Sequence, residues 1–197
     1  MKEIIIATKN KGKVNEFKEM LNGSGYQVTS LLDYPDSVDV EESGVTFVEN
    51  AILKAEAISK HYRKITIADD SGLSIDYLNG APGVFSARYA GEEKNDAANL
   101  SKVLTELKGV PEAKRSARFH CALAIASPEK ETFTVEGICE GMITEKMEGE
   151  NGFGYDPIFK PRGREVTMAQ LPKEEKNTIS HRADALKKLE KGIAQYF

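Results

Sequence analysis

Hydrophobic and polar positions along the chain follow two periods, and the switches between them outline the elements. Residues 4–8 form a short apolar run that reads as a strand. Val14, Phe17, Met20 and Leu21 then recur at helical spacing, which predicts a helix over 14–21. Gly23 and Gly25 stop that helix, and 26–30 resumes as a strand. The acidic segment 33–44 is loop-like and carries Pro35. Thr46 followed three residues later by Glu49 is a capping box. The helix it opens places Phe47, Val48, Ala51, Ile52, Ala55 and Ile58 in one stripe and should run to about 61.

A strand follows from Ile65 and is expected to end at Asp69-Asp70-Ser71-Gly72, with 73–75 as a further short strand. Asp, Ser and Gly favour turns for local reasons, so a turn is the commoner fate of such a tetrad taken alone. Beyond a turn-rich stretch at 79–83, Asp96 can cap a helix through 107. Residues 117–126 and 132–143 read as a strand pair around Pro128-Glu129-Lys130. A glycine-rich loop spans 149–154, and Ser180 is placed to cap a last helix to 197. Early alternation of helices with strands, then a longer hairpin, predicts a mixed-sheet α/β fold. Without a repeat, a low-complexity linker or a compositional border, residues 1–197 are expected to form a single domain.

Composition narrows the partners. With 197 residues and 40% hydrophobic content the chain can bury one sizeable core. Its net charge of −4 supplies no global field for nucleic acid or an anionic membrane, so a phosphate ligand would need a local cluster of cations. Cys121 and Cys139 lack metal-ligand spacing and read as buried free thiols in a reducing compartment. The apolar run Ile4-Ile5-Ile6 is too short for a signal peptide or a membrane span, as is every later run. These features predict a cytoplasmic protein.

Candidate chemistry begins with the Asp69-Asp70 pair, since a hard cation such as Mg²⁺ takes one or two carboxylates plus substrate phosphates. Glu41, in the preceding loop beside Glu42, could join Asp70 around such a cation. The first strand–helix junction, Thr8-Lys9-Asn10-Lys11-Gly12-Lys13, is not a P-loop, because Ala7 and Val14 stand where glycine and a hydroxyl are required. It nevertheless crowds three lysines at a helix start, where the macrodipole is already positive. A bound anion would relieve that conflict, and so would simple solvation of the lysines. His181 and Arg182 repeat the anomaly at the last helix, although solvent exposure is the ordinary fate of either. Asn50 and Lys54 lie one turn apart at the rim of the apolar stripe; Lys54 could reach a phosphate or snorkel to water. Around Phe153-Gly154-Tyr155-Asp156, an aromatic face between glycines can stack on a base while a carboxylate accepts its hydrogen bonds. For Tyr155, Ile158 and Phe159 burial in the core is the better reading. His61 and His120 have no partner legible in the sequence and receive no catalytic role.

Taken in order, the blocks Thr8-x-Asn10-x-x-Lys13, Glu41-Glu42-Ser43-Gly44, Glu49-Asn50-Ala51 with Lys54, and Ala68-Asp69-Asp70-Ser71-Gly72 span the first third of the chain. They continue with Gly80-x-Pro82-Gly83, Ser86-Ala87-Arg88, Phe153-Gly154-Tyr155-Asp156-Pro157, Glu175-Lys176-Asn177 and Ser180-His181-Arg182. This ordered set resembles the inosine triphosphate pyrophosphatases, most closely the bacterial branch acting on dITP and XTP. The resemblance implies an elongated central mixed sheet flanked by helices in two lobes, with an active-site cleft between them. It also implies a homodimer carrying out Mg²⁺-dependent hydrolysis of ITP, dITP or XTP to the monophosphate and pyrophosphate. Carried over, Thr8, Asn10 and Lys13, with Lys9, Lys11, Gly12 and Lys54 around them, would hold the triphosphate. Asp70 would be proton acceptor and metal ligand, with Glu41 as a further ligand. Ser71 would contact substrate, the loop Phe153, Gly154, Tyr155 and Asp156 would pack on the nucleoside, and Lys176, His181 and Arg182 would complete base recognition. Lys9 departs from the family pattern, in which glycine commonly follows the threonine. Two other readings stay open at this level: a related pyrophosphatase for pyrimidine or modified nucleotides, and a non-catalytic nucleotide sensor.

Overall fold

The computed structural model describes residues 2–23, 25–193 and 196. Among the described residues, six strands and five helices appear in the order β1 (Lys2–Ile6), α1 (Lys11–Met20), β2 (Tyr26–Ser30), α2 (Phe47–Tyr62), β3 (Ile65–Ile75), α3 (Asp96–Glu106), β4 (Ser116–Ser127), β5 (Lys130–Ile143), β6 (Phe159–Pro161), α4 (Lys173–Ile179) and α5 (His181–Ile193). The strands form one sheet in the order β2-β1-β3-β4-β5-β6. β1 runs parallel to both β2 and β3, whereas β6 is antiparallel to β5, so the sheet is mixed as the pattern predicts. No helix among the described residues is long and apolar enough to cross a membrane.

Two compact units divide the chain. The first comprises Met1–Asp70, Cys121–Gly137 and Ala183–Phe197. Side chains alternate across a strand, and β1 is buried on both faces. Ile4 and Ile6 join Phe17, Leu21, Ile67, Leu123 and Leu189 in one apolar layer, to which α1 and α5 contribute. Ile5 points the other way, into a layer with Ala51, Ala55, Ile58, Ala68 and Ala122. The small alanines on both α2 and the strands allow that helix to approach the sheet closely. Its start is fixed as read from sequence: Thr46 accepts from the Glu49 N–H, and the Glu49 carboxylate accepts from the Thr46 N–H. Helix α1 begins earlier than its apolar spacing suggests, because the Asn10 side chain accepts from the Lys13 N–H at 3.1 Å and caps it.

The second unit comprises Ser71–His120 and Ile138–Arg182. Its core gathers Leu73, Ile75, Leu100, Val103, Phe119, Ile143, Tyr155, Phe159 and Met168. Asn95 rather than Asp96 caps α3, accepting from the Ala98 N–H. Arg115 is buried at 3% exposure and donates to the carbonyls of Leu107, Val110, Ile143 and Thr144, tying the segment after α3 to the end of β5. The short helix α4 has no counterpart in the sequence reading. The final helix is described only as far as Ile193; residues 194, 195 and 197 of its expected course lie outside the described residues.

One expectation is overturned at the most informative place. The segment Ile65–Ile75 is a single strand of 11 residues, and Asp69-Asp70-Ser71-Gly72 runs through its middle rather than turning. Each aspartate finds a lysine on its own side, so a buried extended backbone beats the local turn preference of Asp, Ser and Gly.

Arg115 yields a stability prediction. Arg115→Ala would strand several buried carbonyls at once, so stability measured by urea unfolding should fall by about 3 kcal/mol or more. Arg115→Lys, lacking the planar fork, should restore only part of the loss.

Candidate active site

The register of the sheet sets the position of the acidic pair. β1 ends at Ile6, opposite Ile67 of β3, and the Ala7 N–H still donates to the Ile67 carbonyl at 2.8 Å. Asp69 and Asp70 therefore lie just past the carboxyl end of β1, beside the loop that leads into α1. Open α/β sheets bind ligands at such strand ends. Because successive strand residues face opposite ways, the two carboxylates are delivered to different helices.

Asp69, with its side chain fully buried, meets the Lys13 Nζ of α1 at 2.7 Å. Its other oxygen accepts from the Cys121 thiol of β4 at 3.8 Å. The cation conflict at the start of α1 is thus relieved from within the protein. Lys13 has Asp69, and Lys9 has Asp39 at 2.7 Å on the surface. Lys11 is exposed, Gly12 is half-buried in the first turn, and the Thr8 hydroxyl accepts from the Asn10 N–H at 3.2 Å.

Asp70 faces α2. The Asn50 amide donates to its Oδ2 at 3.1 Å, and the Lys54 ammonium stands 3.7 Å from its Oδ1. Lys54 does not snorkel. Its Nζ is buried between the Glu42 carboxylate at 2.6 Å and the Asp69 carbonyl at 2.7 Å. The partner that the acidic loop contributes is therefore Glu42, while Glu41 is exposed beside it. Burial pushes the Asp70 carboxyl above its ordinary value; Lys54 and Lys13 oppose the rise without cancelling it, and Glu42 adds to it. Burial also works against the charge on Lys54, but Asp70, Glu42 and Asp69 together outweigh it and hold the ammonium above the usual lysine value. Among the described residues no group of three or more metal-ligating side chains gathers. A hard divalent ion arriving with phosphates needs only one or two carboxylates, and Asp70 with the neighbouring acidic loop can supply them, so the residues fit such an ion.

A second cluster forms within the other unit. The glycine-rich loop is built around Asp156, whose Oδ2 accepts from the Phe153 N–H at 2.9 Å and from Lys176 Nζ at 2.6 Å. Gly152 is required there: its φ is +77°, and a Cβ would lie 2.1 Å from that same Oδ2. The Gly154 N–H donates to Asp96 at 3.0 Å. Lys176 Nζ lies 4.8 Å from the centre of the Phe153 ring, and the Arg182 guanidinium lies 5.9 Å from it. Arg182 is 1% exposed, and its Nη2 donates to the Ser71 hydroxyl at 3.1 Å. His181 is buried too, its ring stacked on Phe119 at 4.7 Å. Neither has the solvent exposure ordinary for its type. Tyr155 is a core residue, as its reading favours, with its hydroxyl donated to the Ser86 carbonyl at 2.7 Å.

The sequence reading misses three contributors here. Asn50 carried a faint signal, a polar side chain one turn from Lys54 on the buried side of α2. Glu42 is a one-residue offset from Glu41 that no pattern resolves. Cys121 reads only as a core thiol, since nothing in its neighbourhood points to Asp69.

Comparison with known proteins shows the family. The chain is 65% identical over 189 residues to the dITP/XTP pyrophosphatase of Bacillus licheniformis, covering 96% of each chain. It is 61% identical over 191 residues to the protein of the same name from Bacillus subtilis, covering 97% of this chain and 96% of that one. Among solved structures, the Ham1 protein of Staphylococcus aureus superposes with a TM-score of 0.87 at 46% identity, covering all of both chains. The family model described as the Ham1 family matches residues 4–192, and the chain belongs to that family.

Proposed function

We propose that this protein hydrolyses non-canonical purine nucleoside triphosphates, dITP, ITP and XTP, to the monophosphate and pyrophosphate. The observation that carries the reading is the Asp69-Asp70 pair, each carboxylate beside a lysine and within 4 Å of it. The names of relatives more than 60% identical point to dITP and XTP. We read the protein as a homodimer working in the cytoplasm, with the whole chain as one pyrophosphatase domain. Selective removal of such nucleotides would keep them out of the nucleotide pool.

In this reading the triphosphate lies against Thr8, Asn10 and the first turn of α1, with Lys9, Lys11 and Gly12 around it. Lys13 and Lys54 supply positive charge to its oxygens. Asp70 and Glu41 would hold Mg²⁺, which when bound neutralises the polyphosphate and lowers the pKa of a coordinated water. Attack at the α-phosphorus forms one P–O bond from water and breaks the bond to the bridging oxygen, whose electron pair leaves with pyrophosphate. Asp70 takes the proton lost by the water and later releases it to solvent. A carboxyl whose burial raises its proton affinity is better suited to that task than an ordinary surface aspartate.

The base goes to the second cluster. Phe153 offers a stacking face beside the Asp156–Lys176 pair, with Gly154, Tyr155 and Ser71 shaping the site. Arg182 and His181 add donors. Hypoxanthine and xanthine carry an acceptor carbonyl at the six-position where adenine carries an amine, so a guanidinium favours the former.

Three outcomes test this. In a substrate panel read by pyrophosphate release, dITP, ITP and XTP should exceed dATP and the pyrimidine triphosphates by at least about 100-fold in kcat/KM, and a chelator should abolish turnover. Asp70→Asn should lower kcat by about 100-fold or more while nucleotide binding, followed by calorimetry, persists. Arg182→Lys should narrow the preference for dITP over dATP by about 10-fold, seen as a change in the ratio of the two kcat/KM values.

A further inference from the structure

Asn50 has no role in the reading above, yet its side chain joins the Asp70 carboxylate to the backbone at the end of the acidic loop. It is 2% exposed on α2, one turn before Lys54. Its Nδ2 donates to Asp70 Oδ2 at 3.1 Å, and its Oδ1 accepts from the Gly44 N–H at 2.8 Å. These two contacts fix each other. A backbone N–H only donates, so the Gly44 contact demands oxygen on that side and turns the amide nitrogen toward the carboxylate. Gly44 itself is irreplaceable at that approach, since a Cβ would lie 2.6 Å from Asn50 Oδ1 and 2.7 Å from the Glu49 Cβ. The neighbouring Val45 N–H donates to the Glu49 carboxylate at 2.7 Å, so the end of the acidic loop is clasped onto the first turn of α2.

We propose that Asn50 is a positioning residue for the hydrolysis: it sets the carboxylate plane of Asp70 and ties that carboxylate to the loop carrying Glu41 and Glu42. With Oδ2 held by the amide, Oδ1 is the oxygen turned toward Lys54. Rotation of the carboxylate about its Cβ–Cγ bond would break the amide contact, so the proton-accepting oxygen keeps one direction. The loop cannot drift from α2 without pulling the same amide away. Proton acceptor and acidic loop are therefore placed by one side chain.

This inference rests on the pyrophosphatase reading, and the test separates the two. Wild-type protein is assayed first with dITP and Mg²⁺; no turnover there would overturn the functional reading itself. Asn50→Asp keeps the oxygen that accepts from Gly44 and removes the donor to Asp70, whereas Asn50→Ala removes both. In Asn50→Asp, kcat should fall by about 10- to 100-fold with KM within about threefold of wild type. Amide hydrogen exchange at Gly44, read on protein without metal or nucleotide, should stay protected in Asn50→Asp and accelerate in Asn50→Ala. Wild-type kcat in Asn50→Asp would overturn the proposal. So would equal loss of Gly44 protection in both variants, which would make Asn50 a packing residue only, and so would unchanged Gly44 exchange in Asn50→Ala, which needs no turnover to read.

Discussion

Two adjacent aspartates in the middle of a buried strand are the constraint around which the first unit is arranged. A strand turns consecutive side chains to opposite faces, so each carboxylate forms an ion pair with a lysine of its own. The sequence answers with two lysines on two helices, Lys13 on α1 and Lys54 on α2, one for each face. That requirement explains why α1 starts at the end of β1 and why α2 packs through alanines close enough for Lys54 to reach the strand. It also explains why the segment stays extended. A turn at Asp69-Asp70 would take from Lys13 its carboxylate partner and leave Lys54 with Glu42 alone, a larger cost than the local preferences of Asp, Ser and Gly can offset.

The second unit solves a related problem around an aromatic ring. Lys176 and Arg182 are both buried, with a carboxylate for one and a hydroxyl for the other, and both lie near Phe153. Removing either cation would cost more than its contacts suggest, because its partner would remain desolvated. Asp156 in turn organises the loop by accepting from Phe153 and Lys176 through one oxygen, which is why the neighbouring Gly152 has no room for a side chain. Ring, loop and cation form one unit whose geometry depends on a single carboxylate.

Much of this was legible in the sequence where the causes are local. The capping box at Thr46 and Glu49, the hairpin through Pro128 and Glu129, and the helical stripe of α2 each depend on residues a few positions apart, and each stands as read. The failures share a different cause. Asp69 and Asp70 carry turn propensity, and what overrides it comes from positions far along the chain. Arg182 reads as a solvent-facing side chain until Ser71, 111 residues earlier, accepts its hydrogen bond. That Glu42 meets Lys54 depends on the path of an irregular loop, which no periodicity records. Helix α4 is seven residues long, too short for an apolar stripe to declare itself.

The clasp formed by Lys13, Lys54, Asp69, Asp70 and Glu42 does not balance. With all five groups ionised, two positive charges face three negative ones, and the deficit lies beside Asp70, where burial already disfavours ionisation. A naked polyanion approaching this spot would add repulsion to that deficit. An ion-neutralised one would correct it. On the reading proposed above, the imbalance would favour an ion-neutralised polyphosphate over a naked one.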